Sequence, residues 1–156
     1  MEIIRLESCD NEIFPKLVEW NYNWWGKKTG KSYEAVSYFL QNSLCKGDAL
    51  PQTFVALVDG KPAGMYQLSM FDDLFGRPDI YPWIGNVYVD ENFRGLGICG
   101  KLMETVPEKA KAAGLKEIYL YTNHVGLYEK YGWEFIEIIP TFDGSTQEER
   151  LYKLTI

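Results

Sequence analysis

A chain of 156 residues, 46% of them hydrophobic, is the size of one domain and can bury roughly two-thirds of its unfolded surface, which excludes wholesale disorder. A formal net charge of −6 without a large cluster of Lys and Arg argues against a nucleic-acid surface and suits a cationic partner better. Three widely spaced cysteines (Cys9, Cys45, Cys99), no C-x-x-C and a single histidine, His124, speak against a disulfide scaffold and a metal site. No apolar run approaches the roughly 20 residues of a membrane span, and the N-terminus lacks the basic and apolar regions of a signal peptide, so a cytoplasmic protein is expected.

In chain order, EIIRLE (2–7) alternates apolar and polar residues and predicts a strand. Asp10 or Asn11 is placed to cap a helix reaching Trp25, with Ile13, Leu17 and Trp20 on one face. GKKTGKS (26–32) predicts a loop, and Ser32 caps a second helix beginning at Tyr33. Asp59-Gly60 between TFVALV and PAGMYQLSMF predicts a hairpin whose tight turn takes positive φ. The loop DDLFGRPDIYP leads to a strand over Trp83–Val89, and a helix over about Leu96–Ala113 is stopped by Gly114. KEIYLYT is a strand, VGLYEKY a short helix ended by Gly132, and WEFIEII and RLYKLTI are closing strands. The order β-α-α-β-β-β-α-β-α-β-β describes one α+β domain over 1–156, with a mostly antiparallel sheet and one central βαβ crossover. Pro107 inside the third helix costs about 3 kcal/mol there and predicts a kink or a break.

The stretch RGLGICGKL, Arg94 to Leu102, meets three phosphate-binding patterns at once. Gly95 to Lys101 spells most of a P-loop, but Leu102 stands where a Ser or Thr hydroxyl would hold Mg²⁺. Gly95, Gly97 and Gly100 spell the dinucleotide fingerprint, but the next strand ends in Thr122-Asn123 rather than an acidic residue, and too few βα units follow. A tight strand-to-helix turn that binds nothing is a third reading. The remaining pattern, R-G-x-G-I, gains from its surroundings.

NVYVDENFRGLGICGKLM followed by GLYEKYGWEF resembles the GNAT superfamily of N-acetyltransferases. Its pattern is V-x-V-x-x-x-x-R-G-x-G-[IV]-[GA]-x-x-L-[LM], then Y-E-K-x-G-[FW]. The resemblance is close over Trp83 to Glu137, and the element order agrees along nearly the whole chain. It implies a GNAT-type mixed sheet, mostly antiparallel and flanked by helices, with a central βαβ coenzyme A-binding unit and a splayed strand pair. It also implies acetyl-coenzyme A as co-substrate and no metal. Arg94, Gly95, Leu96, Gly97, Ile98, Cys99 and Gly100 would form the diphosphate cradle, because free N–H groups at a helix start carry the positive end of its dipole. The backbone of Val87, Tyr88 and Val89 would pair with the pantetheine arm, and Val87 or Tyr88 would supply the oxyanion donor. Asn123 would hydrogen-bond the pantetheine or, alternatively, cap a helix. Tyr128 would protonate the leaving thiolate as a general acid. A core tyrosine is the competing role in a chain of eleven tyrosines.

Cys99 departs from the pattern, which has Gly or Ala there. A thiol at a helix N-terminus tends toward a lowered pKa, so bound coenzyme A is expected to protect it; an inert buried thiol is the alternative. The strand before the loop carries no glutamate to act as base. Asp72, Asp73, His124 and a water chain are the candidates, His124 on its intrinsic pKa. For the acceptor, Trp24 and Trp25 suggest an aromatic wall, and Asp72 and Asp73, with Asp79 nearby, suggest negative charge for a small cationic amine. The expected function is N-acetyl transfer to a primary amine by direct attack in a ternary complex. The alternative is a non-catalytic module of the same fold that senses acyl-coenzyme A or binds a partner. A second copy of the chain is a candidate partner; a nucleic acid or a membrane is not.

Overall fold

A computed structural model describes residues 1–72, 77–140 and 148–156. The N-terminal alternation forms β1 (Glu2–Leu6). Asn11 Oδ1 then accepts the N–H groups of Ile13 and Phe14 at 3.0 and 2.9 Å, starting α1 (Phe14–Asn21), which buries Phe14, Leu17, Val18 and Trp20. The helix does not stop where α1 ends. Tyr22–Gly26 continue it as a π-turn, with Lys27 N–H donating to Tyr22 O at 2.9 Å. Ser32 caps α2 (Tyr33–Gln41) by accepting the Ala35 N–H. Gly26 lets the two helices meet, since a Cβ there would lie 2.8 Å from Val36 Cγ2.

β2 (Gln52–Val58) and β3 (Lys61–Ser69) form the predicted hairpin, with Asp59 and Gly60 at φ 50° and 75° in its turn. Then come β4 (Trp83–Val89), a 3₁₀ turn (Glu91–Phe93), α3 (Ile98–Ala112) and β5 (Glu117–Thr122). A second 3₁₀ turn (Tyr128–Tyr131), β6 (Glu134–Ile139) and β7 (Glu149–Thr155) close the chain. The sheet order is β1-β2-β3-β4-β5-β7-β6, antiparallel except for the β4–β5 neighbours. One face of the sheet packs under α3, where Tyr66, Leu68, Ile84, Leu102, Val106 and Ile118 are buried. The other face packs under α1 and α2 through Leu17, Val18, Trp20, Val36, Val55 and Met65.

Two expectations change. The helix predicted at VGLYEKY shrinks to the 3₁₀ turn, because Gly132 at φ 85° ends it after one turn. α3 runs through Pro107 without a break. Gly114 ends α3 as expected, at φ 75° with its N–H on Lys111 O and that of Leu115 on Ala110 O.

Candidate active site

The site begins where the sheet comes apart. β4 and β5 pair only at Trp83 and Tyr119, where Tyr119 N–H donates to Pro82 O at 2.9 Å. Beyond that point the strands diverge, although β5 stays paired to β7 along its length. The cause lies partly in β4. Met65 faces Tyr88 but Gln67 faces Gly85, so β4 carries one extra residue, and Asn86 sits at φ 50° in the resulting bulge. Asn86 Nδ2 donates to Gln67 Oε1, and Gln67 Nε2 to Thr53 Oγ1 at 2.8 Å. These amides, Gln67 buried and Asn86 partly so, hold a conformation that a non-glycine residue rarely adopts.

After the bulge the ladder resumes: Asp90 N–H donates to Ala63 O at 2.9 Å. Antiparallel pairs alternate, so Tyr88 also turns its backbone groups toward β3. Val87 and Val89 turn theirs toward the opening. Val89 O there accepts Arg94 Nε at 3.2 Å.

The loop that follows is anchored by Asp90, which is 6% exposed. Its carboxylate accepts from Asn92 N–H and Nδ2 at 2.9 Å and from Trp20 Nε1 at 2.8 Å. Burial works to raise the Asp90 pKa, yet these donors and Lys16 hold it below the usual carboxylate range. Gly95 and Gly97 take φ 81° and 74°, and a Cβ on either would meet nothing within 4 Å. The loop therefore presents bare backbone to open space at the start of α3, the geometry an anionic diphosphate needs. Leu96 is exposed, Ile98 buried, and Arg94 lies 6.0 Å over the Tyr88 ring. Gly100 differs from its neighbours. It lies inside α3, and a Cβ there would sit 2.7 Å from the Tyr131 hydroxyl, so its bareness serves packing between α3 and the second 3₁₀ turn.

Tyr128 is buried against Trp133 and Tyr152, with ring centroids 6.2 and 6.3 Å away. Burial first, then the nearby Cys99, pushes its phenol well above the usual range, so it holds its proton at neutral pH. Cys99 does not behave as expected. Burial raises its thiol pKa, the opposite of the lowering expected at a helix start, and this favours the alternative of an inert buried thiol. Asn123 and His124 are both exposed after β5. Asn123 does not cap the following 3₁₀ turn, whose N-cap is Leu127 without a side-chain bond. His124 N–H donates to Thr122 Oγ1 at 3.2 Å.

On the α1 side Trp20 and Trp24 both meet the Tyr88 ring, Trp20 with centroids 5.3 Å apart. Trp20 is buried, while Trp24, 41% exposed, tilts against Tyr88 with centroids 5.8 Å apart. Trp25 turns away, donating to Asn21 Oδ1 at 2.8 Å and packing edge-on against Phe39, so it does not stand beside Trp24 and Tyr88. Asp72 Oδ1 accepts the Tyr121 hydroxyl at 3.0 Å, and Asp73 lies outside the described residues. Asp79 is engaged by Arg77, which also bonds Glu137 at 2.9 Å. Among the described residues no three His, Cys, Asp or Glu side chains are grouped to hold a metal ion, and no helix is long and apolar enough to cross a membrane.

The model of the acetyltransferase (GNAT) family matches residues 14–133. The chain belongs to the GNAT acetyltransferase family. No curated relative matches it. Its fold is similar to that of an aminoglycoside 6′-N-acetyltransferase complexed with coenzyme A, at a TM-score of 0.76 and 13% identity over 99% of this chain and 97% of that one. It is also similar to a GNAT family acetyltransferase from Elizabethkingia anophelis with acetyl-CoA bound, at a TM-score of 0.68 and 20% identity over 99% and 97% of the chains. A third similar fold is RimL, a ribosomal L7/L12 α-N-protein acetyltransferase in complex with coenzyme A, at a TM-score of 0.71 and 14% identity over 99% and 94%.

Several residues that shape this GNAT site escaped the sequence reading. Gly64 lets β3, β4 and α3 close up, since a Cβ there would lie 2.8 Å from Tyr88 O and 3.2 Å from Ile98 and Leu102 side-chain atoms. Gln67, Asp90 and Tyr121 act across 19, 70 and 49 residues of chain. A lone glycine in a strand is a signal for close approach; the long-range partners leave none.

Proposed function

We propose that this GNAT protein is an acetyl-coenzyme A dependent N-acetyltransferase acting on a primary amine, with a small cationic amine as the acceptor. The observation that carries the reading is the open split between β4 and β5. It has the bare amides of the Gly95–Gly97 loop at one end and the protonated Tyr128 beside α3. The co-substrate supplies an activated acetyl thioester. The backbone of Val87 and Val89 pairs with its extended arm as an added strand, and the loop amides bind its diphosphate. The ladder alternation favours Val87 over Tyr88 as the oxyanion donor. Tyr128 delivers a proton to the departing sulfur, a role suited to a phenol kept neutral by burial. Cys99 stays a neutral neighbour of the cradle. The wall of Trp24 and Tyr88 offers flat faces to a cationic acceptor.

Thermal unfolding with acetyl-coenzyme A, NAD and Mg-ATP at matched concentrations tests the first half. A ligand at 100 times its Kd adds about 2.7 kcal/mol, and only acetyl-coenzyme A is expected to do so. Equal responses to NAD, or no response to any of the three, would sink the reading. Release of free coenzyme A thiol in the presence of primary amines tests the second half and separates an enzyme from a non-catalytic acyl-coenzyme A sensor.

A further inference from the structure

The strand before the cradle has no carboxylate of its own, yet one reaches it from elsewhere. As the chain leaves β3, Ser69 Oγ accepts the Phe71 N–H at 3.2 Å and donates to Phe71 O at 2.8 Å. That turn carries Asp72 back over β4. Asp72 Oδ2 lies 3.1 Å from where a Cβ on Gly85 would be, so the bareness of Gly85 leaves the space the carboxylate occupies. Oδ1 is held from the other side of the split by the Tyr121 hydroxyl at 3.0 Å. Tyr121 is steadied by Trp83, edge-on at 5.9 Å and 2% exposed. The carboxylate thus spans from β4 to β5 where the strands part.

Its place relative to the aromatic wall is set by the ladder. Gly85 faces Gln67 and Tyr88 faces Met65, so the two lie on one face of the sheet, two steps of β3 apart. At about 3.4 Å per step, that is roughly 7 Å.

We infer that Asp72 is the acceptor-binding base of this enzyme, positioned by Tyr121 over the gap left by Gly85, for primary amines with a flat or cationic group about 7 Å from the reacting nitrogen. The inference rests on the proposed acetyl transfer. Asp72 accepts an N–H from the neutral amine and turns its lone pair toward the thioester carbonyl. The C–N bond forms and the nitrogen becomes cationic. Asp72 takes the nitrogen's proton and passes it to water as the C–S bond breaks, and the sulfur takes the Tyr128 proton, which solvent replaces. The far end of the acceptor lies against Trp24 and Tyr88.

The test measures coenzyme A release with tyramine, spermidine and kanamycin, together with acetyl-coenzyme A affinity and thermal stability, in the wild type and four variants. In Asp72→Asn, kcat/KM for the best of these amines should fall by about 10²-fold, with acetyl-coenzyme A affinity and melting temperature unchanged. Asp72→Glu should recover part of the loss. Tyr121→Phe and Gly85→Ala should each cost several-fold, Gly85→Ala by displacing the carboxylate. If the wild type acetylates an amine and Asp72→Asn matches it, Asp72 is not the base, while the acetyltransferase reading survives. A fall in kcat/KM accompanied by equal losses in melting temperature or acetyl-coenzyme A affinity would make Asp72 structural and overturn the inference. If acetyl-coenzyme A binds and none of the amines is acetylated, the parent reading fails and this one falls with it.

Discussion

The two walls of the split are built from different material. The proposed cofactor wall is backbone: the outward edge of Val87 and Val89, and a loop opened by Gly95 and Gly97 at positive φ. The proposed acceptor wall is side chains, with Trp24 from the π-turn after α1, Tyr88 from β4, Tyr121 from β5 and Asp72 from the chain beyond β3. Backbone geometry is set by a few neighbouring residues and leaves a short, dense motif. A wall of side chains from four segments leaves none, and its members can change separately to suit a different acceptor. The two walls should therefore fail differently.

The largest expected effect touches both walls. Tyr128→Phe removes the proposed acid and should lower kcat by about 10²- to 10⁴-fold, with acetyl-coenzyme A affinity retained; a variant with near wild-type kcat would remove Tyr128 from the chemistry. Gly97→Val tests the cofactor wall alone. A side chain in the left-handed region costs about 1–2 kcal/mol, so acetyl-coenzyme A should bind roughly tenfold more weakly by titration calorimetry, and the amine KM should stay put. Gly64→Ala tests the frame behind both walls. With Tyr88 O only 2.8 Å from the new methyl, overpacking should cost about 1–3 kcal/mol in urea unfolding. Trp24→Ala should act only on the acceptor side, raising the KM for amines several-fold without lowering stability, because Trp24 is already 41% exposed.

The smallest effect is in pH. Tyr66 and Tyr128 have folded-state pKa values raised by burial above the reference of 10.0. The unfolded chain loses these protons first. Their contribution to stability is complete below pH 10 and declines above it, so alkaline unfolding should steepen there. The same shift means that kcat should show no loss from phenol ionisation below pH 10. An alkaline limb near pH 8 that vanished in Tyr128→Phe would contradict this.

How much of this was legible in the sequence follows the same division. The strand–loop–helix unit, the Asp59-Gly60 hairpin and the Ser32 cap all rest on neighbours along the chain, and each formed where its residues indicated. The bare loop was legible because glycines at Gly95 and Gly97 report backbone conformation directly. The aromatic wall was only half legible. Trp20 and Trp24, four residues apart, meet the same Tyr88 ring as helical spacing indicates, but Trp25 turns to Phe39. Cys99 stayed open between two readings for a related reason: its place at a helix start is local, but its burial comes from packing with distant parts of the chain.

By itself, then, the sequence determined the order of the elements and the glycine loop at positive φ. These depend on φ preferences, alternation and capping, which act over a few residues. Only the tertiary structure decided that β4 carries a bulge held by Gln67, that Asp72 fills the space Gly85 leaves, and that Tyr121 meets it across the split. Those arrangements depend on register and on distances between strands far apart in the chain, and no local preference encodes a distance of that kind.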